Sequence, residues 1–289
     1  MRASSSSFAS SFSFSLPGVF FRGLSLTTAL VVVVAAPAPA QMAGMPGMHH
    51  DMHQEASTPV SPAALREISS VAKAVEPLGT TTAAAAAGFA PKFGWIPTMG
   101  EHWVSIQKMT SGRQTNLDAP SNLMFSKIAG RDSLVGAAYA YITADNDTVR
   151  PSLFDGNPPW HEHPDLAPQG ETIVMLHVWF VASPDGPFAG TNPNLPFWAL
   201  GLAAPDSGRM HSEAFSSMVR RASLALGEVA DTTSIFPTLK VRPEVNSAIA
   251  AHRDSVKAIV PELLAAQRAH DSARWDRAAT KAAAQWDAM

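Results

Sequence analysis

The chain has 289 residues, of which 46% are hydrophobic, 16% are charged and none is cysteine. The lack of cysteine excludes disulfides, thiolate metal sites, iron–sulfur clusters, a cysteine nucleophile and a lipid anchor attached through cysteine. The net charge of −3 argues against a general nucleic-acid-binding protein, because such proteins need a basic surface. The length predicts one to two domains.

The first 40 residues have the features of a signal peptide. After Arg22 an apolar run covers Leu24–Ala36, which matches the hydrophobic region of a signal peptide and is shorter than the ~20 residues that span a bilayer. Residues 38–40 then supply the small side chains that a signal peptidase recognises. We therefore expect a periplasmic or secreted protein without a stable membrane anchor after processing. The alternative is an anchor that stays attached.

Residues 41–60 are rich in Met, His, Gly and Pro and lack apolar periodicity, which predicts a disordered arm. Thioether and imidazole groups together suit Cu(I) or Cu(II) far better than Mg²⁺ or Ca²⁺. We expect this arm to recruit metal ions, and the alternative is a plain spacer. The candidate ligands in the arm are Met42, Met45, Met48, His49, His50, Met52 and His53.

Helix signals follow the arm. Ser61 and Pro62 predict the start of a helix that runs to about Val75. Thr80–Thr82 predict the start of a short Ala-rich helix that ends at Gly88.

Residues 91–205 are rich in Pro, Gly and Asn and contain short β-prone runs. Leu123–Ala129 and Leu134–Thr143 flank the turn sequence of residues 130–133, which predicts a hairpin. Thr172–Ser183 is apolar on both of its alternating faces, which predicts a central strand that is covered on both sides.

From residue 206 the pattern is helical again. We predict one helix from about Ser207 to Glu228 and a second from Pro243. Pro261 either kinks this second helix or opens a third helix that reaches about Asp287.

Three apolar side chains recur every eleven residues, close to three helical turns: Leu264, Trp275 and Trp286. They predict one packing face, on the domain or on a second subunit, so a homo-oligomer formed through the C-terminal helices is one alternative. Together the elements predict an α+β fold, with a small antiparallel β-sheet or barrel-like core flanked by N-terminal and C-terminal helices. The expected organisation is a signal peptide (1–40), the arm (41–60), an α+β core domain (61–205) and a C-terminal helical region (206–289).

Four histidines of the β-rich region are candidate metal ligands: His102, His161, His163 and His177. His177 lies in the apolar strand, so its imidazole should be buried and needs partners for both ring nitrogens. His161 and His163 are two positions apart, and alternation in an extended segment puts both rings on one side, where they can chelate one ion. Three or four imidazoles without thiolate suit copper or zinc.

Three carboxylates are close to these histidines in the sequence and are candidates for orienting the ligands or completing the site: Glu101, Glu162 and Asp165. The alternative interpretation is that the histidines are hydrogen-bonded core residues or face solvent. The remaining histidines, His211, His252 and His270, have no chelating spacing, and we expect them to be surface or packing residues.

A succession of short motifs runs through about residues 80–195. The motifs are Gly88-Phe89, Met99-Gly100-Glu101-His102-Trp103, Pro120–Phe125, Leu134–Tyr139, Leu153–Gly156, Leu176-His177-Val178-Trp179 and Ser183–Pro193. Their order resembles a family of small secreted bacterial proteins of unknown function that carry Met-Gly-x-His-aromatic, Leu-Val-x-x-x-Tyr and Leu-His-x-Trp motifs. Ser183 stands where that family more usually has Asn, and Asp155 is an insertion. The resemblance implies that His102, His161 and His177 occupy motif positions, and it implies little about function.

Three functions follow as alternatives from these patterns. The leading expectation is an exported metal-binding protein, with copper favoured because of the arm and with the histidine site in the β core. The first alternative is a metal-dependent enzyme, a hydrolase or oxidoreductase, that uses the same histidines with Glu101 or Glu162 as general base. The second is a non-catalytic interaction module that holds no metal.

Overall fold

The structure is a computed structural model that describes residues 60–230 and 243–289. The predicted signal peptide lies outside these residues, and so does the Met/His-rich arm with all seven of its candidate ligands. Within the described residues, no helix has the length and apolar character needed to cross a membrane.

Two N-terminal helices form where the capping residues predict them. The first helix, α1 (Pro62–Val75), begins after Ser61, whose hydroxyl accepts a hydrogen bond from a first-turn backbone N–H at 3.0 Å. Its buried residues recur every three to four positions, so one stripe of the helix faces the core. The short helix α2 (Thr81–Ala86) is capped in the same way by the hydroxyl of Thr80.

The described part of the chain contains six strands in a single antiparallel sheet. They are β1 (Ala90–Ile96), β2 (Gly100–Val104), β3 (Asn122–Ile128), β4 (Arg131–Ala144), β5 (His161–His163) and β6 (Glu171–Trp179). The order across the sheet is β1-β2-β3-β4-β6-β5, so β1 and β5 are its edges. The structure is therefore the predicted α+β fold, with an antiparallel sheet flanked by helices.

The predicted hairpin is β3 and β4, but its turn is shorter than expected. Ala129 and Gly130 have φ of 50° and 76°, which is the two-residue turn that matches the twist of adjacent antiparallel strands. Arg131–Ser133 therefore pair within the ladder instead of forming the turn.

The strand β6 ends at Trp179 rather than Ser183 and lies between β4 and β5. Leu176 and Val178 pack in one cluster with residues of α1, whereas Trp179 packs in a separate cluster. Both faces of β6 are covered, as its sequence predicts.

Five further helices complete the described residues: α3 (Ile106–Met109), α4 (Leu195–Ala199), α5 (Glu213–Ala230), α6 (Pro243–Arg268) and α7 (Ser272–Asp287). Pro261 neither ends α6 nor opens the next helix, because buried Ile259 and Leu263 hold the chain helical on either side of it. The break comes at His270, which has a φ of 51°, and at Asp271, whose side chain caps the start of α7.

The start of α5 also differs from the prediction. The helix begins at Glu213 rather than Ser207, because the preceding residues form a turn in which the Asp206 carboxylate accepts a hydrogen bond from the Gly208 N–H at 2.9 Å. Short polar side chains of this kind compete with helix formation by hydrogen-bonding nearby backbone.

Leu264, Trp275 and Trp286 all pack against the apolar cluster of α5, α6 and α7. They therefore form a packing face, although they come from two helices rather than from one continuous stripe. The homo-oligomer contact stays a prediction.

Polar contacts join the helical region to the segment that follows β6. The Arg220 guanidinium of α5 donates to both carboxylate oxygens of Asp185 at 2.7 and 2.6 Å, and the Ser223 hydroxyl donates to the Pro193 carbonyl at 2.7 Å. The helix also lies so close to Pro97 that a Cβ added at Gly227 would be 2.5 Å from the proline ring. The helical region is thus packed tightly onto the segments that follow β1 and β6.

Candidate functional site

The four core histidines lie on one face of the sheet, which we call the histidine face. Alternation along β6 puts Met175 and His177 on this face. On the neighbouring strand β5, His161 is directly opposite Met175 and His163 is directly opposite Ile173. His161 and His163 therefore share a face with His177, as their spacing predicts.

His102 reaches the same face from the other side of the sheet. In the ladder, His102 of β2 is opposite Met124 of β3, Met124 is opposite Gly136 of β4, and Gly136 is opposite Trp179 of β6. Two strands separate β2 from β6. Their residues on this face include Gly136 and Ala138, whose small size leaves room for imidazoles to meet above the sheet.

His102 and His177 approach each other through their ring nitrogens. Their Nε2 atoms are 3.2 Å apart, and their ring centroids are 5.4 Å apart. The His161 ring is 5.0 Å from the His177 ring and 5.0 Å from the His163 ring. The four rings thus form a continuous row in the order His102, His177, His161, His163.

Most of this row is closed to solvent. The exposed fractions are 4% for His102, 1% for His177 and 4% for His163, whereas His161 on the edge strand is half-buried. Access from solvent is therefore at the β5 edge, beside His161.

The distance of 3.2 Å between the two Nε2 atoms fits two chemical states. It is a good N–H···N hydrogen bond between neutral imidazoles. It is also close to the roughly 3.3–3.4 Å that separates two nitrogens on one tetrahedral ion at bond lengths of ~2.0–2.1 Å. The pair can share either a proton or a metal ion.

The described side chains do not form a complete set of metal ligands at this point. Among them, no group of three or more His, Asp or Glu residues is arranged so that it could hold a metal ion as it stands. The histidines are therefore gathered on one face, and His102 and His177 have ligand-like spacing.

A buried polar atom lies in the same cross-strand row as His177. The Asn122 side chain is 1% exposed, and its Oδ1 has no hydrogen-bond partner among the described residues. Asn122 is opposite Ala138, which is opposite His177, so this acceptor lies in the same cross-strand row as His177. A buried acceptor without a partner costs about 1–3 kcal/mol, and a bound cation or a donor group in this row would offset that cost.

The three nearby carboxylates do not serve the histidines as predicted. The Glu101 carboxylate accepts a hydrogen bond from Trp103 Nε1 at 2.7 Å, and Glu162 forms an ion pair with Arg150. Strand alternation turns Glu101 and Glu162 away from the histidine face, and Asp165 is exposed on the turn after β5.

The remaining histidines behave as expected. His211 and His270 are exposed, and His252 is buried in the helical region, where burial lowers the pKa of its imidazole.

Three residues of the histidine face are not among those the sequence predicts: Asn122, Met124 and Met175. Alternation from His177 is enough to place Met175 on this face. Only the register of the assembled sheet places Asn122 and Met124 there.

Comparison of the chain with family models, with curated proteins and with solved structures found no match. The family resemblance suggested by the sequence motifs therefore stays a prediction.

Proposed function

We propose that this is an exported metal-binding protein that prefers copper, with a histidine site in the β core and a Met/His-rich arm that recruits ions. One observation carries the core of this proposal. His102 and His177 are 75 positions apart in the chain, yet both are buried and their Nε2 atoms are 3.2 Å apart.

The rest of the histidine face supports a site for a cation. The His161 ring adjoins the pair at the end that is open to solvent. The Asn122 carbonyl oxygen is a buried acceptor in the same row as His177. Imidazole nitrogen without thiolate is a donor set for copper or zinc.

The choice of copper and the export of the protein rest on the sequence. The arm adds four thioethers and three imidazoles, a combination that favours copper over harder cations. The apolar run followed by small residues before position 41 supports export.

Elemental analysis of untagged protein after dialysis tests this proposal. We would compare the intact protein with an arm-substituted protein, in which the arm's Met are Leu and its His are Gln, and with His102→Gln and His177→Gln made in each background. The control is His252→Gln, which removes a buried histidine from the helical region.

We expect the arm-substituted protein to retain copper in a ratio near one per chain. The His102→Gln and His177→Gln changes should weaken its copper affinity by at least about 100-fold, more than the 10–100-fold typical of a lost supporting residue. The His252→Gln control should leave the affinity unchanged. Retention that depends only on the arm would refute the core site, and retention by none of the proteins would refute the whole proposal.

The same experiment separates the alternatives. An interaction module without metal would keep the imidazole pair as an N–H···N hydrogen bond and retain no ion. For the metal-dependent enzyme, Glu101 and Glu162 are held by other partners, so no observation favours it.

A further inference from the structure

We infer that the core site is a mixed imidazole–thioether site that selects Cu(I), with Met124 and Met175 as sulfur ligands beside His102 and His177. This inference rests on the proposed function and adds the oxidation state of the ion and two ligands that the histidine pattern does not reveal.

The sheet register places a methionine against each end of the histidine pair. Met124 is directly opposite His102, and Met175 is directly opposite His161 and two positions before His177 on the same face. Directly opposed residues have Cβ atoms about 4.5–5.5 Å apart. Both side chains are long enough to bring sulfur to an ion held by the two Nε2 atoms.

The two methionines also share one apolar environment. Met124 is fully buried and Met175 is half-buried, and both belong to the cluster that contains Ala138 and Trp179. The Trp179 ring is 6.2 Å from the His177 ring. The face that carries the pair therefore also carries thioether and hydrocarbon groups.

The number of converging nitrogens argues against zinc at this point. Zn²⁺ is held by four nitrogen, thiolate or carboxylate ligands in structural sites, and by three such ligands and a water in catalytic sites. Among the described residues, no group of three or more His, Asp or Glu side chains is arranged to hold one ion. Thioether sulfur is a soft ligand that completes a site for Cu(I) in preference to Zn²⁺.

The charge of the surroundings leads to the same choice. The cost of moving an ion out of water rises with the square of its charge, and it is offset inside proteins by opposite charges. Glu101 and Glu162 face away from the histidines, so neither compensates a buried cation. A monovalent ion is therefore favoured over a divalent one.

Competition for metal under anaerobic conditions tests the inference. The protein is the full chain with the arm-substituted sequence, so that the core supplies the binding. Cu(I) affinity is measured against a coloured Cu(I) chelator, and Zn²⁺ affinity against a fluorescent Zn²⁺ indicator. The variants are Met124→Leu and Met175→Leu, which conserve volume, and the control is Met218→Leu in the helical cluster.

We expect each of the two Met→Leu changes to weaken Cu(I) binding by about 10- to 100-fold, with the Zn²⁺ affinity changed less than threefold. The control should change neither affinity. If His102→Gln weakens Cu(I) binding but neither Met→Leu change does, the sulfur ligands are wrong and the proposed function stands. If the His102→Gln change also has no effect on any metal, both proposals fail.

A second measurement does not depend on the folding of a variant. X-ray absorption at the copper edge of the Cu(I)-loaded, arm-substituted protein should show sulfur as well as nitrogen in the first shell. A spectrum with nitrogen alone would overturn the inference.

Discussion

Gly136 lies beneath the histidine pair, and replacing it with alanine tests how tightly the sheet is built there. A Cβ added at this position would be 2.5 Å from the Met124 methyl group, 2.6 Å from the Val178 carbonyl oxygen and 3.4 Å from the Trp179 Cα. The backbone of Gly136 does not have a positive φ, so the requirement for glycine comes from these contacts. The methyl group can rotate away, but the carbonyl belongs to the paired strand and cannot.

The size of the effect follows from these distances. Restoring an ordinary contact of about 3.4 Å to the Val178 oxygen requires β4 and β6 to separate by about 0.8 Å along a hydrogen-bonded ladder. Overpacking of a well-packed core costs about 1–3 kcal/mol, and a backbone neighbour places Gly136→Ala in the upper part of that range. For a chain of this size we expect a loss of about 2–3 kcal/mol and a fall in Tm of roughly 4–12 °C.

Urea and thermal unfolding of the metal-free protein, followed by circular dichroism, measure this loss. The matched control is Gly208→Ala, where the added Cβ would contact only the flexible Asp206 side chain, at 3.3 Å. We expect the control to stay within about 0.5 kcal/mol of the parent. If Gly136→Ala is as stable as this control, β4 and β6 can separate at little cost, and the predicted destabilisation by the added methyl group is wrong.

Two further predictions concern buried polar groups. The Ser121 hydroxyl accepts a hydrogen bond from the Ala140 N–H at 2.7 Å inside the sheet. Ser121→Ala leaves that N–H without this partner and should lower the free energy of unfolding in urea by about 1–3 kcal/mol. A decrease below about 0.5 kcal/mol would contradict this prediction. Burial raises the pKa of the Glu228 carboxyl above its usual value, and the nearby Arg253 guanidinium only partly opposes this effect. The folded state therefore takes up a proton at higher pH than the unfolded state, so the ionised carboxylate lowers stability at neutral pH and does so less as the pH falls. Glu228→Gln should therefore unfold at higher temperature than the parent at pH 7, with the difference shrinking toward pH 5; an equal difference at both pH values would disprove it.

Local signals account for the parts of the fold that the sequence predicts correctly. The caps at Ser61 and Thr80 act on their own first turns. The hairpin is joined by a short turn, and the same-side placement of His161 and His163 follows from alternation alone. None of these needs knowledge of a distant part of the chain.

The unpredicted parts depend on contacts between distant segments. Pro261 is tolerated in α6 because of packing with other helices, which the local preference of proline does not reveal. The meeting of His102 with His177 depends on the order of the strands across the sheet. Alternation does predict that a carboxylate next to a strand histidine points away from it, as Glu101 does.

Because His102 and His177 are 75 positions apart in the chain, the core must fold before it can bind a metal ion. An extended or partly assembled chain has no such pair, because the two imidazoles meet only after β2, β3, β4 and β6 have joined. If the chain crosses a membrane unfolded, as the proposed export implies, its core would bind no metal before it folds on the far side. Any ion that binds there also binds the folded state alone, so it should raise the midpoint of unfolding in proportion to the logarithm of its concentration.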